Sequence, residues 1–505
     1  MKKAVIILMF TLIHFPLLAG IHDDVDELIR KRDFQAAEKM AQQAVDKNPL
    51  DLQALCALGC VYRNMAYKEG IQFDSTAAGI RDGESGMGEF NQENFNKIFT
   101  PVPYYEKEIF KKAETIYFKI IEIDKTYSNA YFNLLNSYAV MRNFEKYFSV
   151  IDLYLVNFKE DNNTPYILND LAGKLYKDNS YDEAVRLFKI CIDRYPSYAP
   201  AVCDLGAVYF QQGDISGAYR QFKAAYKIDG KDAINLANLA RSCIYLEEFK
   251  EAYEYYGIIT QTVTDDIFND YTTGILGYMS GGEYASLFTR FIENRKKGIQ
   301  DHDKDFWIFT AGKFLELEKF EAKEKNDFFE YLLDSFRKNE YDTYSIMTAN
   351  ILLKQGSNSF ALVVNASIFD RLRFTEKTIY YLEKIEDRKK DDPGIMSDDD
   401  LNFNYGRNYL YSGKIEKSLS CFNRITPESE HEAAVNYYMG RIYLIRKDNE
   451  KARTYLMKNR DREDKKDMYY INESIRILRT MESEKPQGGN EIKNEVNKED
   501  RKKEK

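Results

Sequence analysis

The feature that most constrains the fold is a pattern with a 34-residue spacing, which occurs three times between residues 165 and 266. Leu171, Leu205 and Leu239 are in register. Three further sets share the spacing: Ala172 with Gly206 and Ala240, Ala184 with Ala218 and Ala252, and Phe188 with Phe222 and Tyr256. A repeat of this length predicts helix-turn-helix units that stack as a solenoid.

The residue types in the pattern have a physical reason. When the units are numbered from Pro165, Ala199 and Ala233, positions 8 and 20 hold Ala or Gly, and positions 7, 11 and 24 are mostly large. Two antiparallel helices approach closely only where both side chains at the crossing are small. Pro196 and Gly230, both at position 32, are residues that end a helix.

The segments "LAGKLY…YDEAVRLFKICIDRYP" and "LGAVYF…ISGAYRQFKAAYKID" resemble the tetratricopeptide repeat. The resemblance implies an all-α fold, a tetratricopeptide-type α-solenoid in which antiparallel helix pairs form a superhelix. It leaves open whether the pairs form one array or two. The 34-residue spacing returns near the carboxyl end, where Gly406 and Gly440, Tyr409 and Tyr443, Ser418 and Ala452, and Phe422 and Leu456 are in register.

We therefore predict the following organisation of the 505 residues. An amino-terminal array covers residues 21–266, with an inserted loop at about 68–103. Residues 267–358 form a divergent helical segment in which the small-residue code fades. A carboxy-terminal array with a capping helix covers residues 359–484, since a terminal repeat must cover its exposed face. Residues 485–505 are charged and almost without apolar residues, so we predict a disordered tail.

The length of the insertion follows from the positions of the repeat on either side of it. Leu58, Gly59 and Tyr62 match positions 7, 8 and 11, but position 20 is next found at Ala113. Ala113 lies 51 residues after Tyr62, whereas a regular unit allows 9, so 42 residues are inserted. Long loops in compact units are commonly functional or disordered. Two interpretations follow, a mobile surface loop or a flap that covers the groove or docks a partner.

Residues 1–20 predict a bacterial secretory signal peptide. Lys2 and Lys3 precede an apolar run, and Pro16, Ala19 and Gly20 follow it, so we expect cleavage after Ala19 or Gly20. The run is shorter than the roughly 20 apolar residues of a membrane span. We predict a periplasmic or secreted protein with no membrane span in the mature chain. The alternative is anchoring to the inner membrane by an uncleaved amino-terminal segment.

The sequence offers little chemistry. After the signal peptide only His22, His302 and His431 remain, and none has a metal-ligand spacing to cysteine or to another histidine. Phosphate-binding glycine loops and nucleophile elbows are absent from the sequence. We therefore predict no catalytic residues, no metal site and no cofactor. The formal net charge of -9 also argues against nucleic acid as a partner.

The six cysteines have two interpretations. They can be small buried apolar side chains. Alternatively, Cys191 and Cys203, on consecutive helices of an exported protein, form a disulfide across the turn. Cys56 and Cys60 are one helical turn apart, which is a poor geometry for a disulfide.

In tetratricopeptide arrays the first helices line a concave face, and the resemblance implies that positions 2, 5, 6, 9, 12 and 13 point into it. Position 6 is asparagine in Asn133, Asn238 and Asn404, whose amides can pair with an extended backbone. The carboxylate clamp of the family is not expected, since position 5 lacks lysine in the three regular units. The predicted groove consists of Asn133, Asn136, Tyr166, Asn169, Asp170, Tyr176, Asp204, Phe210, Asn238, Arg241, Tyr245, Asn404, Arg407, Tyr411, Tyr437 and Arg441.

These features predict a protein–protein interaction scaffold or adaptor of the bacterial cell envelope that holds a partner segment in its concave groove. One alternative is a structural envelope protein that associates with itself. Another is an envelope enzyme or a subunit of one, with its active part in the divergent middle or in the insertion.

Overall fold

The computed structural model describes residues 21–70, 102–263, 266–298, 303–356, 358–460, 462 and 467–483. Within these residues there are 24 α-helices, one short 3-10 helix and one two-stranded sheet. Helices adjacent in sequence pack in pairs. The fold class is all-α, a tetratricopeptide-like solenoid, as predicted. The chain divides into two compact units, one ending at Ile167 and the other beginning at Leu168.

The first unit contains six complete helices and the sheet. Their bounds are α1 Ile21–Arg30, α2 Phe34–Lys47, α3 Leu52–Ala66, β1 Tyr67–Gly70, β2 Val102–Tyr105, α4 Lys107–Ile123, α5 Ser128–Val140 and α6 Phe144–Asn157. Side chains of Asp33 and Asp51 accept hydrogen bonds from the first turns of α2 and α3, which fixes where these helices begin.

The sheet forms the base of the predicted insertion. Strand β1 pairs antiparallel with β2, with Tyr67 opposite Tyr105 and Gly70 opposite Val102. The sequence analysis did not predict these strands. The insertion leaves and re-enters between two helices that pack together, so its ends are close, and strand pairing satisfies their backbone groups. Residues 71–101, the middle of the loop or flap predicted at about 68–103, lie outside the described residues.

Close contacts between glycines and rings show how the helix pairs cross. A Cβ placed on Gly206 would lie 2.8 Å from the Phe222 ring, so position 8 of one helix accepts position 24 of the next. A Cβ on Gly59 would lie 2.7 Å from the Tyr117 ring in the same way, although the insertion lies between the two residues in the sequence. Once the predicted insertion is subtracted, Gly59 and Tyr117 have the same separation as Gly206 and Phe222. Helices α3 and α4 therefore form a helix pair of the regular kind.

The second unit contains the remaining helices, and α7 begins just before its boundary. Their bounds are α7 Thr164–Lys177, α8 Tyr181–Arg194, α9 Ala199–Gln211, α10 Ile215–Ile228, α11 Ala233–Leu246, α12 Phe249–Thr262, α13 Phe268–Ser280, α14 Ala285–Lys297, α15 Lys304–Glu316, a 3-10 turn Leu317–Lys319, α16 Ala322–Lys338, α17 Asp342–Gln355, α18 Ser359–Arg371, α19 Thr375–Arg388, α20 Asp398–Tyr411, α21 Ile415–Phe422, α22 Glu432–Ile445, α23 Asn449–Arg460 and α24 Met468–Ser483.

Helices α13 to α17 keep the pairwise packing but use other residues for it. A Cβ placed on Gly274 of α13 would lie 2.9 Å from the Phe288 ring, and the two residues are closer in sequence than the matching pair of the regular repeat. Trp307 lies at the centre, with its ring centroid 4.9 Å from Tyr271 and 5.7 Å from Phe336. One hydrophobic cluster continues from Ile215 to Cys421. The segment without the small-residue code therefore shares its core with the helices before and after it.

Among the described helices, none combines the length and the apolar character needed to cross a membrane. The predicted signal peptide at 1–20 and the predicted charged tail at 485–505 lie outside the described residues.

Candidate functional site

A polar row on three successive first helices of the second unit is the best candidate for a binding surface. It consists of Asn169 on α7, Asp204 on α9, and Asn238 and Arg241 on α11. Asn169 Nδ2 donates a 2.8 Å hydrogen bond to Asp204 Oδ2. Asn169 Oδ1 is buried and has no hydrogen-bond partner among the described residues. We call these four residues the polar row.

The electrostatics of the polar row are set by burial and by one arginine. Burial raises the pKa of the Asp204 carboxyl above its ordinary value, the Asn169 hydrogen bond opposes the rise, and the charge of Asp232 adds to it. Burial raises the pKa of the Cys203 thiol, and the nearby Asn238 side chain lowers it. Arg241 is exposed, and its charge counteracts the effect of burial on the pKa of Tyr245. A carboxylate and an arginine thus lie on successive first helices of one array.

The aromatic part of the predicted groove is occupied by the protein itself. Phe374, between α18 and α19, packs edge-on against Phe210 and Tyr245 with centroid distances of 5.5 and 5.4 Å. Tyr245 is 6% exposed. A Cβ on Gly213, in the turn after α9, would lie only 2.3 Å from the Arg373 carbonyl oxygen. The prediction that Phe210 and Tyr245 line an open groove is therefore corrected, since both pack against Phe374.

An acidic residue holds this internal contact in place. Glu247, which ends α11 in the left-handed conformation, pairs with Lys377 and accepts a hydrogen bond from the Tyr381 hydroxyl. Asn350 Nδ2 donates a further hydrogen bond of 3.1 Å to it. We call Glu247, Asn350, Lys377 and Tyr381 the Glu247 clamp. It joins the end of α11 to helices that lie far along the sequence.

Four of the predicted groove residues in the carboxy-terminal array serve internal contacts. Arg407 is 7% exposed and forms an ion pair with Asp370. Arg441 and Tyr437 are also buried, with the guanidinium 5.3 Å from the ring centroid. Asn404 donates to a backbone carbonyl of its own helix. The expectation that Arg407, Tyr437 and Arg441 face solvent in the groove is corrected. Arg407 pairs with Asp370, and Arg441 packs on the Tyr437 ring.

The remaining predicted groove residues have varied surroundings. Tyr411 is half-buried and its hydroxyl lies 3.1 Å from that of Tyr438. Tyr176 packs on Tyr181 at 5.7 Å, and Asp170 pairs with Lys174 at 2.9 Å. In the first unit, Asn136 and Tyr166 are exposed, whereas Asn133 accepts a hydrogen bond from Arg63. Their contact with a partner stays a prediction.

A cavity in the first unit was missed by the sequence analysis. It has a volume of about 260 Å³ and is lined by His22, Asp26, Cys56, Cys60, Arg63, Asn64, Asn129, Phe132 and Asn133. A ring nitrogen of His22 and both cysteine sulfurs lie within 4.8 Å of one another. His22 has no metal-ligand spacing to the cysteines in the sequence, and packing of α1 on α3 supplies the proximity in space. The i, i+4 spacing of the cysteines was the available signal.

One of the two thiols in this cavity, Cys60, differs from the other cysteines, whereas a hydrogen bond with Cys60 and burial raise the pKa of Cys56. Hydrogen bonds with Asp26 and Cys60 raise the pKa of His22 to about 10. A hydrogen bond from Cys56, then one from His22 and the charge of Arg63, lower the pKa of Cys60 well below its ordinary value against the effect of burial. Burial raises the pKa of Cys191 and of Cys203 to about 12. All six cysteines are buried free thiols.

A second group of possible ligands consists of Asp400, Glu430 and His431. Glu430 is exposed, and the Asp400 carboxylate already contacts Ser397 and His431 at 2.6 and 2.7 Å. The His431 ring stacks on Phe403 at 4.1 Å. These contacts give Asp400 and His431 a structural role at the start of α20 and α22.

A family model matches a segment of the chain that overlaps the polar row. Residues 170–233 match the family model described as tetratricopeptide repeat. The chain contains tetratricopeptide repeats. This segment includes Asp204 and ends at the first residue of α11. The tetratricopeptide fold indicates a protein–protein interaction scaffold, and such proteins are typically non-catalytic. No curated protein matches the chain.

Solved structures with tetratricopeptide or similar folds resemble the chain at low identity. A Pseudomonas aeruginosa pilF structure is 18% identical, covers 37% of this chain and 85% of its own, and has a TM-score of 0.26. A complex of Naa15/Naa10 bound to HypK-THB is 12% identical over 93% of this chain and 69% of its own, with a TM-score of 0.33. A Parabacteroides merdae tetratricopeptide repeat protein is 14% identical over 62% and 100%, with a TM-score of 0.25. These values carry no conclusion about function.

Proposed function

We propose that the protein is an interaction scaffold that holds an extended segment of a partner protein against the polar row. The observation that supports this most is the buried Asn169 Oδ1, which has no donor among the described residues and lies beside the Asp204 carboxylate. A buried acceptor without a donor costs about 1–3 kcal/mol. A partner segment that supplies the donor recovers this free energy once the side chains covering Asn169 Oδ1 shift to admit it.

The chemistry of the polar row defines the segment. Asn169 Oδ1 and the Asp204 carboxylate both accept hydrogen bonds, so the matching group is a donor, either a backbone N–H or a lysine or arginine side chain. Arg241 offers the opposite charge on α11, the first helix of the next repeat. A backbone carbonyl or a carboxylate fits there. We propose a segment with a basic residue facing α7 and α9.

A peptide selection tests this. We expect the protein to enrich peptides with lysine or arginine from a random library, and Asp204→Asn to lose that preference because the carboxylate charge is gone. Asp193→Asn is the matched control, since Asp193 is exposed on α8, a second helix that lies outside the predicted groove. The same basic preference in wild type and in Asp204→Asn would overturn the proposal. Concentration-dependent assembly without any peptide would favour a self-associating structural protein.

We further propose that the scaffold acts in the cell envelope, as a periplasmic or secreted protein. The support is the signal-peptide pattern of residues 1–20. We expect fractionation of cells to recover the protein in the periplasm or medium, beginning at Gly20 or Ile21. Recovery in the membrane pellet with residues 1–20 intact would instead favour the anchored alternative.

A further inference from the structure

Three soft or borderline metal ligands meet in the cavity of the first unit. Cys56 and Cys60 lie one turn apart on α3, so both sulfurs are on the same face. His22 on α1 brings a ring nitrogen to them, and the three donor atoms lie within 4.8 Å of one another. Two thiolates and an imidazole are a ligand set typical of zinc and of monovalent copper.

The residues around these donors orient them as in a metal site. Asp26 Oδ2 lies 3.1 Å from His22 Nδ1, and this contact fixes the orientation of the ring. A carboxylate behind a metal-ligating histidine is the usual supporting contact. Tyr117 donates its hydroxyl hydrogen to Cys60 Sγ at 3.6 Å, and Asn133 Nδ2 lies 3.9 Å from the same sulfur. These donors stabilise a charged sulfur.

An ion at this position would be balanced in charge by the groups around it. The two sulfurs are buried, with exposed fractions of 1% for Cys56 and 7% for Cys60. Metal binding would convert both thiols to thiolates, and burying two thiolates without a counter-charge is costly. Arg63 lines the same cavity and offsets one charge, and a bound cation offsets the rest.

The geometry also excludes two simpler roles. Cysteines at i and i+4 of one helix do not form an unstrained disulfide, because the Cβ atoms are held too far apart. Hard cations such as Ca²⁺ and Mg²⁺ take six or more oxygen ligands, which two sulfurs and a nitrogen do not provide.

We infer that His22, Cys56 and Cys60 form a binding site for one thiophilic d10 metal ion, Zn²⁺ or Cu⁺. The protein supplies three ligands, and the cavity of about 260 Å³ leaves room for a fourth from solvent or from another molecule. The ion would tie α1 to α3 at the start of the first unit, so its binding adds to the stability of that unit.

Titration of the reduced, chelator-stripped full-length chain tests the site. We expect one equivalent of Zn²⁺ or of Cu⁺ to bind, and Co²⁺ used as a probe to show thiolate-to-metal charge-transfer absorption. Cys56→Ser and Cys60→Ser should each remove that absorption, because each deletes one sulfur ligand. Cys421→Ser is the matched control, since it removes a buried thiol in the second unit and should leave the titration unchanged.

A milder variant guards against loss of folding. Asp26→Asn keeps all three ligands and is expected to weaken the affinity by about 10–100-fold without changing the stoichiometry. Circular dichroism confirms that each variant is helical. An unchanged titration in Cys56→Ser or Cys60→Ser, or no charge-transfer absorption in the folded wild type, would overturn the site. Binding of Zn²⁺ alone or of Cu⁺ alone supports it and identifies the ion.

Discussion

Asp204 is the residue on which the binding proposal depends most. Its carboxyl is partly buried with an amide as its hydrogen-bond partner, and burial raises its pKa above the ordinary 3.8. A raised pKa in the folded state means that folding favours the protonated form. The stability contribution is therefore complete below the ordinary pKa and is lost as the pH rises through the folded pKa.

Asp204→Asn should therefore be more stable than the wild type at neutral pH and gain nothing at a pH below the ordinary value. The reason is that asparagine keeps a neutral acceptor for Asn169 Nδ2 and removes the cost of burying a charge. Chemical unfolding of both proteins across this pH range measures the difference. Asp170→Asn serves as the control, and an equal gain there, or a gain that grows toward low pH, would contradict this account of Asp204.

At position 213 only glycine fits. It has a φ of +82°, and an added Cβ would lie 2.3 Å from the Arg373 carbonyl oxygen. Gly413 has a similar φ of +71° but nothing within 4 Å, so it separates backbone strain from crowding.

Gly413→Ala should cost about 1–2 kcal/mol of unfolding free energy, the usual cost of left-handed backbone for alanine. Gly213→Ala should cost a further ~1–3 kcal/mol, because the carbonyl must move. Denaturant titration of both variants measures this. Equal costs would show that the turn after α9 does not pack closely against Arg373.

At the scale of elements, the Glu247 clamp joins the end of α11 to α17 and α19. Glu247 and Lys377 have side-chain exposures of 15% and 24%, so their pairing is largely shielded from water. Glu416 and Arg446 form a comparable pair whose carboxylate is 81% exposed. The two pairs provide a matched comparison of buried and exposed contacts.

Glu247→Gln should lower the unfolding free energy by about 3 kcal/mol, since it leaves Lys377 without its counter-charge. Glu416→Gln should change it by about 1 kcal/mol or less. Thermal and denaturant unfolding report both values. If the two variants behave alike, the contact of α11 with α19 is not what holds Phe374 in the groove.

The sequence predicted the elements well and the contacts among distant elements poorly. The 34-residue spacing encodes how one helix packs on the next, as the Gly206–Phe222 and Gly59–Tyr117 contacts show. It carries no information about Phe374 entering the groove near Tyr245, or about His22 meeting Cys56. Those contacts depend on how several helix pairs accumulate curvature and on which residues the packing brings together.

At the scale of the molecule, each unit has its own distinguishing surface. The first unit carries the cavity with two thiols and a histidine, and the second carries the polar row beside a groove that the chain partly fills. The predicted groove is thereby reduced to a smaller polar surface, with the aromatic residues Phe210 and Tyr245 assigned to internal packing.

The most direct test of the scaffold proposal is photo-crosslinking in the native cell. A photoreactive amino acid at Arg241 reports on the polar row, and one at Lys227, exposed near the end of α10, is the control. We predict a discrete protein adduct from position 241 that disappears when Asp204→Asn is added, and none from position 227. No adduct at 241, or the same adduct at both positions, would contradict the proposal that the polar row binds a partner.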